Sequence, residues 1–301
     1  MQIERLVPVL DSTGGATARP FETEAVRLAT THILDAHGRW AFVVMSGPPG
    51  VGKTTCAKFM VSLVNEQAAL GEGIKAHTWE VSGRNKRQRA QQSTRGGLKE
   101  LYVQFIGSVP SNLFQRETEH SVCRRLIAVL RQRGLQLLLL DEAGTMAPEE
   151  LRGLAMVLNV AREEEWPLTM VLVGMDDIAT TMEALPQVES RVADWVWFHP
   201  LTVEDWDGVF SVLMPSMAGR AQAPIRRWTW KTLKGGARRL EHLLSHVMKS
   251  AAALEIAPAA LTLDQFQAIY EDLASRRQEV KSSGRFLDAA KGRVRVDFED
   301  A

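Results

Sequence analysis

Eight residues, Gly47-Pro48-Pro49-Gly50-Val51-Gly52-Lys53-Thr54, restrict the folds open to this chain more than any other feature of it. They follow WAFVVMS (40–46), a charge-free run of the kind found in strands buried on both faces of a parallel sheet. They precede Thr55-Cys56-Ala57-Lys58, the opening of a helical segment. Strand, then G-x-x-x-x-G-K-[ST], then helix is the order that lets a glycine-rich backbone curl. Its N–H groups and a helix N-terminus then converge on phosphate oxygens. Gly47 through Thr55 are therefore expected to cradle a nucleotide, with Lys53 neutralising its β and γ phosphates and the Thr54 hydroxyl ligating Mg²⁺. ATP and Mg²⁺ are the ligands this pattern predicts.

Three further apolar runs follow: KAHTWEV (75–81), LQLLLLD (135–141) and LTMVLVG (168–174), each separated from the next by helix-periodic sequence. Such alternation predicts an α/β structure with a parallel central sheet flanked by helices. WVWFHPL (195–201) is a candidate fifth strand. Between the third and fourth strands Pro148 stands at a helix start. Leu151, Leu154, Ala155 and Leu158 share one face of that helix before the solvated run Glu163-Glu164-Glu165. After Pro200 only helical patterns remain, the last of them with Thr262 as a cap and Gln265 three residues on. The expected layout is an arm and helix over 1–37, an α/β core over 38–202, a small all-helical unit over 203–275 and a tail over 276–301.

The third run ends in Asp141-Glu142, where the chain leaves the sheet, and open α/β sheets bind ligands at that end of their strands. Asp141 is placed to hold Mg²⁺ alongside Thr54. Glu142, one residue on and pointing elsewhere, is suited to orient and polarise an attacking water.

Lysine plus arginine number 36 and aspartate plus glutamate number 36, so no net field draws in a nucleic acid or a membrane, and any such binding must be local. One local cluster is conspicuous. RNKRQRAQQSTR (84–95) places Arg84, Lys86, Arg87, Arg89 and Arg95 without an acid, which reads as contact with a duplex backbone or as a solvated loop. A second acid-free stretch, 216–239, interleaves basic residues with Trp228 and Trp230, and there the tryptophans read more simply as anchors of the helical unit. His242 and His246, four apart on a helix, read as packing or surface histidines. Two cysteines without metal-type spacing, no basic-then-apolar start and no apolar run near the ~20 residues of a membrane span point to a cytoplasmic protein without a membrane partner.

These motifs resemble the AAA+ branch of P-loop ATPases over about residues 38–275. The resemblance implies a P-loop NTPase core followed by a small all-helical lid. Ser190-Arg191 resembles the family's SR position, whose arginine reaches the γ-phosphate of a neighbouring subunit. GGARRL (235–240) resembles its second sensor, with the arginine being either Arg238 or Arg239. Met175-Asp176 departs from the polar residue expected at the first sensor, which implies slow hydrolysis.

The layout further resembles the transposition ATPases of the TnsC/TniB type and the Mu-phage transposition protein B. That resemblance implies an ATP-dependent, oligomerising, DNA-binding regulator of transposition, with Arg84, Lys86, Arg87 and Arg89 on duplex DNA. Its implied partners are further copies of itself, in a ring or helical filament, a transposase and an accessory targeting protein. A replication-type helicase loader and an ATP-clamped scaffold with negligible turnover stand as the alternatives.

Overall fold

The computed structural model describes residues 23–70, 74–81, 98, 101–103 and 117–282. The chain divides into two compact units, 1–200 and 201–301.

In the first unit, strands β1 (Phe42–Ser46), β2 (Lys75–Glu80), β3 (Leu135–Asp141), β4 (Thr169–Val173) and β5 (Val192–Trp197) form one sheet in the order β2-β3-β4-β1-β5. Every neighbouring pair is parallel, with Val43 opposite Val171 and Leu139 opposite both Thr78 and Val171. Helices α1 (Glu24–Asp35) and α2 (Lys53–Ala69) contribute to one apolar cluster, α3 (Glu119–Arg133) and α4 (Pro148–Glu163) to another.

The strands supply both clusters because successive side chains point to opposite faces. Val43, Met45, Leu137, Leu139, Val171 and Val173 pack with α1 and α2. Phe42, Val44, Leu138, Leu140, Met170 and Leu172 pack with α3 and α4. Two covered faces confine the polar residues of β1, β3 and β4 (Ser46, Gln136, Asp141 and Thr169) to positions at or next to the strand ends, which is why their interiors read as apolar runs. Each fully buried valine or leucine contributes roughly 1.5–3 kcal/mol. On α4, Leu151, Leu154, Ala155 and Leu158 are the buried face, and Pro148 is its first residue, as expected.

The fifth strand differs from expectation in register. It begins at Val192, three residues before the apolar run WVWFHPL, and ends at Trp197. It lies at the edge of the sheet and pairs only with β1. Only Val196 is fully buried, and Ala193, Trp195 and Trp197 are exposed. An edge strand with one covered face alternates, so the continuous run misplaced its limits.

The short helices α5 (Asp177–Glu183) and α6 (Pro186–Glu189) belong to the first unit, and α7 (Val203–Leu213), α8 (Ala223–Leu233), α9 (Ala237–Ala253) and α10 (Leu263–Ser282) make up the second. Thr202 and Asp205 exchange a capping box at the start of α7, and Thr262 and Gln265 do so at α10. Helix α10 runs past the expected end at 275, because Arg-Arg-Gln-Glu-Val-Lys continues with good helix formers until Ser282-Ser283-Gly284. Trp228 packs edge-on against Phe266 and Tyr270, and the Trp230 indole donates to the Leu201 carbonyl at 3.1 Å. Arg226 is buried, donating to the Asp207 carboxylate at 2.8 Å and to the Met217 and Gly219 carbonyls. That part of the second basic stretch is structural.

Candidate nucleotide site

Strand β1 ends at Ser46 and the chain enters the loop through Gly47, at φ 141°. A methyl group there would stand 2.2 Å from the Phe198 carbonyl oxygen, so only glycine admits the approach of the segment after β5. Gly50 and Gly52 also have positive φ, 79° and 104°, and Gly52 is the N-cap of α2. A Cβ on Gly52 would meet nothing within 4 Å, so the loop is open above the helix start. Val51 is buried beneath it, while Pro48, Pro49, Gly50 and Thr55 reach partial or full exposure. Lys53 is 8% exposed, and its ammonium donates to the Gly47 carbonyl at 2.8 Å and the Pro48 carbonyl at 2.7 Å. A buried ammonium is costly unless satisfied, and here the curled loop itself supplies the acceptors.

The order β2-β3-β4-β1-β5 puts β4 between the strand that feeds the loop and the strand that ends in Asp141. Helix α2 nevertheless brings Thr54 to that strand end: the Thr54 hydroxyl donates to Asp141 Oδ1 at 3.2 Å. A hydroxyl and a carboxylate oxygen so juxtaposed fit Mg²⁺, which takes oxygen ligands. The open glycine loop with its buried lysine fits a polyphosphate.

Glu142 takes a left-handed backbone conformation, φ 59° and ψ 29°, which costs a non-glycine residue about 1 kcal/mol or more. Its N–H donates to Asp141 Oδ1 at 3.0 Å, and its carbonyl accepts from the Thr145 N–H and hydroxyl, both at 2.8 Å. The main chain is thus pinned on both sides, while the carboxylate is exposed and has no partner among the described residues. It is available to hold a water.

Met175, at the first-sensor position, is 46% exposed. A polar group comes close two residues later, which the sequence reading missed. A Cβ on Gly144, in the turn after Glu142, would lie 2.6 Å from Asp177 Oδ1. Gly144 itself was the available signal, a residue without a side chain where an acid crowds the turn.

Arg191 lies at the opposite end of the sheet from the loop. Its carbonyl accepts from Phe42 N, at the start of β1, whereas the loop leaves the end of β1. The five residues of that strand span about 17 Å. The structure therefore brings Lys53, Thr54, Asp141 and Glu142 together and sets Arg191 apart from them. In the second unit, Arg238 and Arg239 are both exposed in the first turn of α9, which has no acidic residue. Cations at a helix N-terminus oppose the macrodipole, and an anion there relieves the conflict. The expected DNA contacts, Arg84, Lys86, Arg87 and Arg89, lie outside the described residues. Among the described residues no helix is long and apolar enough to cross a membrane. His242 is exposed and His246 stands 3.7 Å from the Asp272 carboxylate.

A five-stranded parallel sheet in this order, with a phosphate loop after β1 and an Asp-Glu pair after β3, is the AAA+ P-loop ATPase fold. Residues 37–182, just under half the chain, match the profile of the family described as an AAA domain. No curated protein sequence matches the chain. Among solved structures it is similar to the Aeropyrum pernix ORC2 protein in ADPNP–ADP complexes, with a TM-score of 0.57 and 19% identity over 82% of this chain and 66% of that one. It is also similar to the Aeropyrum pernix ORC1 protein in complex with DNA (TM-score 0.54, 16% identity, 84% and 66%). A third similar structure is domain III of the Thermotoga maritima replication initiation protein DnaA (0.56, 12%, 84% and 94%). The chain thus spans slightly less than two thirds of the ORC proteins' length, and at these identities the likeness is one of fold.

Proposed function

We propose that the protein is an ATP-dependent, self-assembling regulator of DNA transposition, acting in the cytoplasm on duplex DNA and recruiting or activating a transposase, with an accessory targeting protein as a further partner. The observation that carries the reading is the place of Arg191. About 17 Å of strand separates it from the chain's own phosphate loop. It therefore serves a triphosphate held by a second copy, and turnover depends on assembly. The acid-free segment with Arg84, Lys86, Arg87 and Arg89 supports contact with DNA phosphates. Two free, buried cysteines are compatible with a reducing compartment.

Lys53 and the loop N–H groups bind the phosphates of ATP. Mg²⁺, held by Thr54 and Asp141, would neutralise phosphate oxygens. Glu142 orients a water and takes its proton as the water oxygen bonds to the γ-phosphorus and ADP departs. Arg191 of the adjacent copy stabilises the charge that develops on the transferring group.

The test is assembly on nonspecific duplex DNA with and without ATP, imaged directly and followed by light scattering. Nucleotide-independent assembly, or no DNA binding at low salt, would remove the reading. Glu142→Gln should lower kcat about 10²–10⁴-fold while retaining ATP. An unchanged rate would favour a scaffold in which ATP is only a clamp. The alternative is a replication-type helicase loader, and co-purification with a helicase rather than a transposase would select it.

A further inference from the structure

The end of the sheet remote from the phosphate loop carries a second charged hollow. It encloses about 560 Å³ and is bounded by Arg39 and Trp40 ahead of β1, by Asn159 and Arg162 toward the end of α4, and by Ser190 and Arg191 ahead of β5. Three arginines line it and no lining residue is acidic. Among the described residues, none of the three is ion-paired with a carboxylate. In a chain with equal numbers of acids and bases, three cations gathered without a counter-charge repel one another, and a bound anion reverses the sign of that interaction.

The grip on Arg191 is made entirely by neutral groups. Its Nε and Nη2 both donate to Asn159 Oδ1, at 3.0 and 2.6 Å, and Nη1 donates to the Gln187 carbonyl and, at 3.5 Å, to Ser190 Oγ. Dipoles of this kind orient a guanidinium and leave its charge intact, and its five N–H donors are not used up by them. A carboxylate in place of Asn159 would hold it more firmly and cancel the charge. Arg39 and Arg162 make no side-chain hydrogen bond to any described residue. Three arginines around one hollow suit a compact, multiply charged group. A duplex backbone spreads single charges along its length and is better met by a stripe.

We propose that this hollow is a three-arginine site for the terminal phosphates of a nucleoside triphosphate carried by a second copy of the chain. Arg39 and Arg162 bind phosphate oxygens beside Arg191, and Asn159 is a positioning residue that aims the Arg191 guanidinium. The proposal rests on the in-trans reading of Arg191 and adds to it two binding residues and the group that orients them.

The test mixes two disabled forms of the full chain. Arg191→Ala keeps its phosphate loop and lacks the central cation, whereas Lys53→Ala, used at ATP concentrations too low to fill its weakened loop, lends only its hollow. The mixture is expected to hydrolyse ATP although neither form does so alone. Absence of recovery would overturn the in-trans reading, and the proposal with it. Given recovery, adding Arg39→Gln or Arg162→Gln to the lending chain should cut the recovered kcat about tenfold or more and raise the KM of the mixture for ATP. Full recovery with both would overturn the proposal while leaving the in-trans reading intact. Asn159→Asp on the lending chain should keep or raise its thermal midpoint yet lower the recovered kcat at nearly constant KM, because the new carboxylate neutralises Arg191. An undiminished kcat would overturn the positioning role. Duplex DNA binding by Arg39→Gln and Arg162→Gln chains, read by fluorescence anisotropy without nucleotide, should match the parent. Lost DNA affinity with undiminished recovery would assign the hollow to nucleic acid and overturn the proposal.

Discussion

At Gly47 a single methyl group would meet the Phe198 carbonyl oxygen at 2.2 Å, and φ is 141°, a value that side-chain-bearing residues rarely adopt. The obstacle is main chain, which cannot swing aside. Gly47→Ala is therefore expected to destabilise the first unit by about 2–4 kcal/mol, visible as a lower thermal midpoint without nucleotide. Lys53 tests the other half of the loop. Its ammonium now rests on two loop carbonyls, and a nucleotide would replace them with charged phosphate oxygens. Charge-assisted bonds are worth about 1.5–3 kcal/mol each, so Lys53→Ala should weaken ATP binding about 100-fold or more by calorimetry. Both residues were legible in the sequence, because spacing alone identifies a phosphate loop. The left-handed backbone of Glu142 and the approach of Asp177 to Gly144 were not, since they depend on how β3 and β4 end side by side.

Among the described residues, β2 is an edge strand of the sheet. The Asn65 side chain, from α2, donates to the Ala76 carbonyl at 3.0 Å and accepts from the Ala76 N–H at 2.9 Å. An amide thus stands in for a strand partner at a buried residue. Asn65→Ala leaves both groups unsatisfied and should cost about 2 kcal/mol, measured by urea denaturation. Two helices carry buried thiols. Burial pushes Cys56 up to about 12 from an ordinary 9.0, and burial with the nearby Glu119 charge does the same for Cys123. Folded values above unfolded ones mean that the folded chain holds these protons more tightly. Stability from this source is complete below pH 9 and declines as pH rises from 9 toward 12. The urea midpoint should fall between pH 9 and 10.5, and a Cys56→Ala, Cys123→Ala chain should lose less over that interval. Helices α1, α4 and α10 and four of the five strands were legible in periodicity, whereas α5, α6 and α8 were not. The fifth strand could not be bounded, because edge position decides whether a strand alternates or runs apolar throughout.

At the scale of the whole molecule, the in-trans role proposed for Arg191 would make hydrolysis a property of assemblies. Specific activity should rise with protein concentration, and an Arg191→Ala chain should lose that dependence together with most of its kcat. If Arg84, Lys86, Arg87 and Arg89 each neutralise one phosphate, log K for duplex DNA should fall with log salt at a slope of about −3.6. A slope near zero would release those residues from the role. The sequence alone determined the loop and the acidic strand end on which the proposed nucleotide chemistry rests, since Gly47–Thr54 and Asp141-Glu142 are local patterns whose meaning lies in residue type and spacing. Only the tertiary structure decided which residues share a site. Arg39, Asn159, Arg162 and Arg191 come from three separate segments, and they meet because parallel strands place all their starts at one end of a sheet and all their ends, with the glycine loop and Asp141, at the other.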